Sequence, residues 1–367
     1  MRRLLALVAL LAACGACAGD DDEADLVIRA ARVFDGTRMV ADASVVVRDR
    51  RIAAVGRDVG ADGRRTIELG NATVLPGFID LHVHTGGSYE LVDAGVTTVR
   101  DLGNSRYLIG VARRGETGRL RVLAAGPLLT APGGYPVPAF GPETAFEVRG
   151  PRAAREAVAG LARDGAAVIK VALEPGLNGD WPMLTPSEVR AIVSAAHRRD
   201  LRVTAHVTDE RGAGLALAGG VDELAHMPCR QEAPDVMRAL AGRGIEIVGT
   251  LRVVADVCPY GGENARVFVA AGGRLLYGSD WSLEAPVAIN PSEIRLMIEA
   301  GLTPLEVLRT ATAVAGRYLG LEPLGQLVEG APADLFAVRG DPLADRSVLS
   351  EPVLVVADGE LIVDTGG

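Results

Sequence analysis

Between residues 77 and 279 the chain repeats one unit, a short apolar run followed by a stretch with helical spacing. Eight such runs stand out: Gly77 to His84, Thr97 to Leu102, Arg121 to Ala125, Ala166 to Ala172, Arg202 to Val207, Glu223 to His226, Ile245 to Thr250 and Arg274 to Ser279. Short strands separated by helices cannot pair as hairpins, so they assemble as parallel βα units. Eight units close into a ring, and the expected fold is α/β, a (β/α)8 TIM barrel. The clearest helix is Pro186 to Arg199, opened by Thr185 at its N-cap. The first link departs from the rule: only Thr85 to Ala94 separate His84 from Gly95, room for a couple of turns at most.

A chain of 367 residues suits a barrel plus one small extra unit. Short alternating strands flank the barrel at both ends. Leu26 to Ala31, Ser44 to Arg48, Arg51 to Val55 and Thr66 to Leu69 precede it; Asp334 to Arg339, Pro352 to Ala357 and Glu360 to Asp364 follow it. Asp35-Gly36, Asp62-Gly63 and Asp358-Gly359 read as turns. Neither set closes a core alone. Residues 26–75 plus 323–367 are therefore expected to form one small β-sandwich, with the barrel, 76–322, inserted between them. Aromatic residues are only 4% of the chain, so its cores must be aliphatic. A net charge of −9 and the lack of a basic stripe argue against nucleic acid as a partner.

Residues 1–13 read as a signal peptide: Arg2 and Arg3 supply the positive start, and Leu4 to Ala13 is an apolar run too short to span a bilayer. The run ends in Leu11-Ala12-Ala13-Cys14, which resembles a bacterial lipobox. That resemblance implies lipidation of Cys14, with 14–25 as a small, acidic tether. An ordinary signal peptide cut nearby is the alternative. Gly15 follows Cys14 where aspartate is the usual inner-membrane retention signal, so the implied address is the outer membrane, facing the periplasm.

The chain has five histidines, and His82, His84, His206 and His226 all fall at C-terminal ends of expected strands, where barrel chemistry sits. Only His197 lies in a helix. His82 and His84 are two apart in a strand, so both can face one axis. Each alone could be a hydrogen-bonded core residue; four together at one face point to a metal centre. Lys170 is the only lysine; the other 37 of 38 basic residues are arginine. A position that keeps lysine against that bias needs chemistry arginine lacks. In the apolar segment Val168-Ile169-Lys170-Val171-Ala172 a desolvated amine is held neutral. A neutral amine can add CO2 and become a carbamate, an anionic bridge between two metals. The alternative is a lysine paired with a carboxylate inside the barrel. Asp280, after Gly278-Ser279, offers a carboxylate for a metal and for a proton, or a helix cap.

Leu75-Pro76-Gly77-Phe78-Ile79-Asp80-Leu81-His82-Val83-His84 resembles the strand-1 motif of the amidohydrolase superfamily, and Gly95-Val96-Thr97-Thr98-Val99-Arg100-Asp101 its second strand. Gly301-Leu302-Thr303-Pro304, Ala311-Thr312, Leu324-Gly325-Gln326-Leu327 and Gly330-Ala331-Pro332-Ala333-Asp334-Leu335 extend the likeness into the tail. Within the superfamily it looks nearest to the imidazolonepropionase-like and prolidase-like branch. The resemblance implies one divalent metal on His82, His84 and Asp280 and a second on His206 and His226. It also implies zinc as the metal, with carboxylated Lys170 and a hydroxide as bridges. Asp280 then accepts the proton of the attacking hydroxide and passes it to the leaving nitrogen. The implied reaction is hydrolysis of an amide, a cyclic amide or a related ester in a small-molecule or peptide-like substrate.

Prolidase-like relatives often carry Gly-Gly-His after strand 3 and a tyrosine after the strand-5 histidine; here Gly133-Gly134-Tyr135 and Val207-Thr208 stand instead. Both departures weaken the dipeptidase reading, which remains the second one. A lipid-anchored binding protein without turnover is a third. Tyr135, Arg230 and Arg252 are the candidate substrate contacts, the arginines for a carboxylate, unless they are ordinary surface residues. Cys229 and Cys258 lie on adjacent loops and are the only cysteines of the folded body, because Cys14 is lipidated and Cys17 sits in the tether. They read as a disulfide in an oxidising compartment or as two buried thiols. Oligomeric state is left open. Cys14→Ala is expected to move the protein from the membrane to the soluble fraction on detergent partitioning; continued membrane association would mean that another surface anchors it.

Overall fold

The computed structural model describes residues 26–57, 59, 65–86, 88–282 and 289–365. The signal segment, Cys14, the tether with Cys17, and the Asp62-Gly63 turn lie outside the described residues. Among those described, no helix is long and apolar enough to cross a membrane.

The chain begins with strands β1 (Leu26–Phe34), β2 (Met39–Arg48), β3 (Arg51–Gly56), β4 (Arg65–Glu68) and β5 (Ala72–Pro76). The middle supplies β6 (Phe78–His84), β7 (Val96–Asp101), β8 (Arg121–Ala124), β9 (Leu128–Thr130), β10 (Ala145–Glu147), β11 (Ile169–Ala172) and β12 (Val203–His206). It continues with β13 (Glu223–Leu224), β14 (Glu246–Val248), β15 (Leu275–Leu276) and β16 (Trp281–Ser282), and the C-terminus adds β17 (Leu335–Arg339), β18 (Pro352–Ala357) and β19 (Glu360–Asp364).

The two chain ends share one mixed sheet in the order β19-β18-β17-β5-β1-β2-β3, with β4 paired to β1. β5 had no counterpart among the expected strands, yet it is the seam: parallel to β1 on one side and antiparallel to β17 on the other. Period-two alternation decides what each face buries. Leu335, Ala337, Leu354 and Val356 join an aliphatic cluster with Leu26, Ile28, Val45 and Val74. Phe336, Val338, Val355 and Ala357, on the other face, pack into the barrel's core. Phe336 meets Phe78 edge-on with ring centroids 5.3 Å apart.

The middle segment forms the barrel, with parallel pairing throughout. β11 to β15 are shorter than the apolar runs that contain them. Strand 3 is broken in two: β8 pairs with β7 and β9 with β11, and the Ala167 N–H to Ala124 carbonyl bond of 2.9 Å spans the break. The eighth strand is split likewise. β15 pairs with β14 and β16 with β6, and between them Leu81 N–H donates to Tyr277 O (3.3 Å) and Asp280 N–H to His82 O (2.8 Å). The short first link is a single 3₁₀ turn, Glu90–Ala94, closed by Gly95 at φ 85°. The helix opened by Thr185 runs Pro186–His197 with a full capping box to Glu188.

One layer of the barrel interior is polar, which the sequence reading did not anticipate. Arg100, 2% exposed, donates to Leu81 O at 2.8 Å and to Glu223 Oε1 at 2.6 Å; Glu223 also accepts from Thr204. Such a pair adds little stability relative to apolar residues, but losing one partner strands a charge. Phe336 is the largest of the four residues that pack the sheet on the barrel, and Phe336→Ala is expected to cost about 3–5 kcal/mol of unfolding free energy in a urea titration. A loss below about 1 kcal/mol would mean the contact does not hold the two units together.

Candidate metal and hydrolytic centre

The donors gather at the C-terminal mouth of the barrel. His82 and His84 come from the end of β6, Lys170 from β11, His206 from the end of β12, His226 from just past β13, and Asp280 from the break between β15 and β16. Asp280 has φ 54°, a left-handed backbone that turns its carboxylate toward strand 1. Its Oδ1 lies 3.3 Å from His82 Nε2 and 3.4 Å from His84 Nε2. Donor atoms of these three residues all lie within 4.8 Å of one another, a spacing suited to one metal ion.

Both strand-1 rings are pinned from behind. His82 Nδ1 donates to Ala225 O at 2.9 Å and His84 Nδ1 to Gly103 O at 3.0 Å. A carbonyl only accepts, so each Nδ1 carries the proton and each Nε2 turns a lone pair inward. Gly103 must be glycine, because a Cβ there would sit 2.8 Å from His84 Cε1. Asp101 fixes that loop, accepting from Gly103 N–H at 3.2 Å and from Thr85 N–H at 2.8 Å.

His206 and His226 form the second half. His226 Nε2 meets His206 Nδ1 at 2.9 Å, and His226 Nδ1 meets Thr250 Oγ1 at 2.9 Å. His226 Nδ1 is 4.0 Å from Asp280 Oδ2, which links the two halves. Burial, and then the neighbouring Lys170 and histidines, holds His82 and His206 well below the usual histidine range. Burial and His206 do the same for His226. All three are therefore neutral, the state a metal ligand needs. Lys170 is 1% exposed, and desolvation brings its amine down to about 7. Lys170 Nζ and His82 Nε2 are both buried without a hydrogen-bond partner. Buried polar atoms are rarely left so, and a ligand shared by this donor set would satisfy both.

The Amidohydrolase family model matches residues 73–362. The chain belongs to the amidohydrolase family. It is thus a hydrolase acting on carbon–nitrogen bonds, on a TIM-barrel-like fold. Among its relatives is the ochratoxinase of Aspergillus niger, 27% identical over 86% of this chain and 81% of that protein. The adenine deaminase of Deinococcus radiodurans is 28% identical over 87% of this chain and 59% of that protein. A Xaa-Pro dipeptidase with methionine bound in its active site superposes with a TM-score of 0.80 at 25% identity, covering 93% of this chain and 100% of that one.

In this amidohydrolase the candidate substrate contacts separate. Tyr135 stacks on His206, with centroids 4.3 Å apart and planes 22° apart, and burial raises its hydroxyl above the usual range. Arg230 is on the site's flank but engaged: it pairs with Glu174 at 2.8 Å and also donates to Gly176 O. Arg252 is placed as the surface alternative has it. Its guanidinium pairs with Asp256 on the exposed face of the helix Leu251–Val257, since i and i+4 share one face. Cys229 and Cys258 are paired as a disulfide with Cα atoms 5.4 Å apart.

Three supporting acids were missed by sequence reasoning. Asp80 Oδ1 accepts the N–H of His82 and of Ser279, each at 3.0 Å, and burial lifts its carboxyl to about 6. Its alternation with His82 in the strand-1 motif was the available signal. Glu174, 2% exposed, takes Thr208 Oγ1 and Gly176 N–H. Glu293 accepts Arg252 N–H at 2.7 Å and so holds the turn that carries Thr250. Burial raises Glu293 from 4.5 to about 8. An acid raised in the folded state favours folding at low pH and loses that contribution as pH rises from its unfolded to its folded value. Glu293's contribution to stability should therefore decline between about pH 4.5 and 8, against the opposite slope of the buried histidines, and Glu293→Gln should gain thermal stability relative to wild type as pH rises through that window in thermal melts. A pH profile parallel to that of wild type would show that Glu293 contributes nothing to it.

Proposed function

We propose that this enzyme hydrolyses an amide or cyclic amide with the help of two divalent ions, zinc by donor chemistry, held at the barrel mouth. The convergence of His82, His84 and Asp280 within 4.8 Å carries the reading. His206, His226 and a carboxylated Lys170 would complete the donor set, and two of the buried atoms without a hydrogen-bond partner, His82 Nε2 and Lys170 Nζ, fit that role. When bound, the ions supply Lewis acidity to a carbonyl oxygen and ionise water near neutral pH.

The chain's own residues do the rest. Asp280 holds and moves the proton: burial raises its carboxyl while His84 and Lys170 oppose the shift, which suits a group that takes a proton from water and returns it to the leaving nitrogen. Asp80 keeps His82 and Asp280 in register, and Thr250 orients His226. Tyr135 covers His206 and limits water on that side. Likeness to the Xaa-Pro dipeptidase favours a second reading, peptide cleavage; Tyr135 in place of histidine and the engaged state of Arg230 favour the first. The enzyme is proposed to work as an exported lipoprotein anchored through Cys14, at an outer membrane facing the periplasm.

Elemental analysis of the purified protein is expected to find about two divalent ions per chain, with chelation abolishing hydrolysis. Asp280→Asn should lower kcat by about 10²–10⁴-fold. Lys170→Arg keeps the charge but cannot form a carbamate, so it should lose the ion pair and activity, and Lys170→Ala should recover part of both with added acetate or propionate. Full metal content and turnover in Lys170→Arg would overturn the bridging role, and hydrolysis by a metal-free chain would overturn the mechanism. Turnover of Xaa-Pro dipeptides in preference to other amides would select the second reading.

A further inference from the structure

We propose that the wall of the site built by the loops after β9 and β11 is a subsite for an uncharged, planar aromatic group of the substrate. The inference rests on the hydrolase reading above and narrows the class of amide. The chain has only 6 Phe, 6 Tyr and 2 Trp in 367 residues, yet three of them gather here. The Tyr135 ring lies between His206 and Trp181 and nearly parallel to both, at 4.3 Å and 22° from the first and 5.9 Å and 23° from the second. Phe140 stands edge-on to Tyr135 at 6.2 Å and 81°, and it is 64% exposed.

The slab is held in place by the backbone beneath it. Gly176 has φ 75°, and a Cβ there would lie 2.6 Å from the Trp181 ring. A Cβ at Gly134 would lie 2.4 Å from Pro182 O, so the two loops interlock closely. Tyr135 is taken up by its two stacked neighbours, whereas Trp181 is half-buried and Phe140 exposed, so these two keep accessible surface. Rings fixed this way offer a flat face at low entropic cost, and aromatic partners prefer such faces in offset or edge-on geometry. Charge points the same way. Arg230, the cation of this wall, is balanced by Glu174, whose other oxygen takes Thr208, so its charge is already neutralised against an incoming carboxylate. Substrate on this side is therefore better matched by a neutral ring than by a carboxylate.

The test uses two neutral pairs of matched shape: benzamide with cyclohexanecarboxamide, and acetanilide with N-cyclohexylacetamide. They place the ring on the acyl side and on the amine side. Metal-loaded full-length protein is compared with Trp181→Leu and Phe140→Leu, so that intrinsic reactivity cancels in the ratio of preferences. Wild type should favour the aromatic member of at least one pair in kcat/KM, and the variants should reduce that preference by about twofold to tenfold, mainly through KM, with metal content unchanged. Calorimetric binding of benzamide and cyclohexanecarboxamide gives a readout independent of turnover. Tighter binding of benzamide to wild type, lost in Trp181→Leu, supports the subsite even if neither pair is cleaved. Equal binding of the two in wild type, or a preference untouched by both variants, overturns it. Failure of the metal-loaded protein to cleave any amide would instead overturn the hydrolase reading, and the binding comparison would still decide the subsite.

Discussion

One buried carboxylate, Asp80, joins the first and last strands of the barrel. Its Oδ1 receives the N–H of His82 from strand 1 and the N–H of Ser279 from strand 8, and the Asp280 N–H returns to His82 O. A barrel of short strands has few ladder bonds at its closure, so this acceptor does there what a longer ladder does elsewhere. The same bonds fix the chemistry, because they set the height and tilt of His82 against Asp280. Close packing completes the seam: at Gly278 a Cβ would meet Val248 Cγ1 at 2.3 Å and His82 Cβ at 3.1 Å. Closing the fold and assembling the donor set are thus one event at this seam.

The second half of the site is supported by a different device. Glu293 caps the first turn of the helix Leu251–Val257, and Thr250, at φ 44°, bonds His226 just before that helix begins. The disulfide between Cys229 and Cys258 ties the loop after strand 6 to the end of the same helix. Arg230, adjacent to Cys229, reaches across to Glu174. His226 and the loop wall beside it are therefore fixed from two sides, by a buried acid and by a covalent bond.

Much of this was legible in the sequence because it is written in spacing. Alternating strands and helices gave the barrel, histidines two apart gave a shared face, and the lone lysine among arginines marked position 170. What was not legible depends on long-range encounter. β5 joins the two chain ends, and only β17, some 260 residues away, shows that it is a strand. Arg100 and Glu223 look like surface charges in a chain full of them, and only closure of the barrel brings them together. For Arg252 both readings were open in the sequence, and the partner it takes is local: four residues on, Asp256 offers one on the same helix face. Tyr135 was noticed as a departure from a motif, but its stack on His206 and Trp181 requires loops from two different strands.

Charge balance accounts for the kind of lysine the centre holds. His82, His206 and His226 are neutral donors, and Glu174 is committed to Arg230 and Thr208. Its Oε2 comes within 4.0 Å of His206 Nε2, but Asp280 is the carboxylate that groups with His82 and His84. Divalent ions gathered on neutral nitrogens and one carboxylate would carry a large uncompensated charge in a buried site, where such charge is costly. As an ammonium, Lys170 would add to it. As a neutral amine it would leave it unchanged, and as a carbamate it would bring a second anion near His82, His206 and His226, whose charge it already influences. Desolvation already removes the ammonium's advantage, since it brings the amine down to about 7. The burial that makes Lys170 costly as a cation is thus the condition under which it can become an anion, and a guanidinium at the same position would remain a cation throughout.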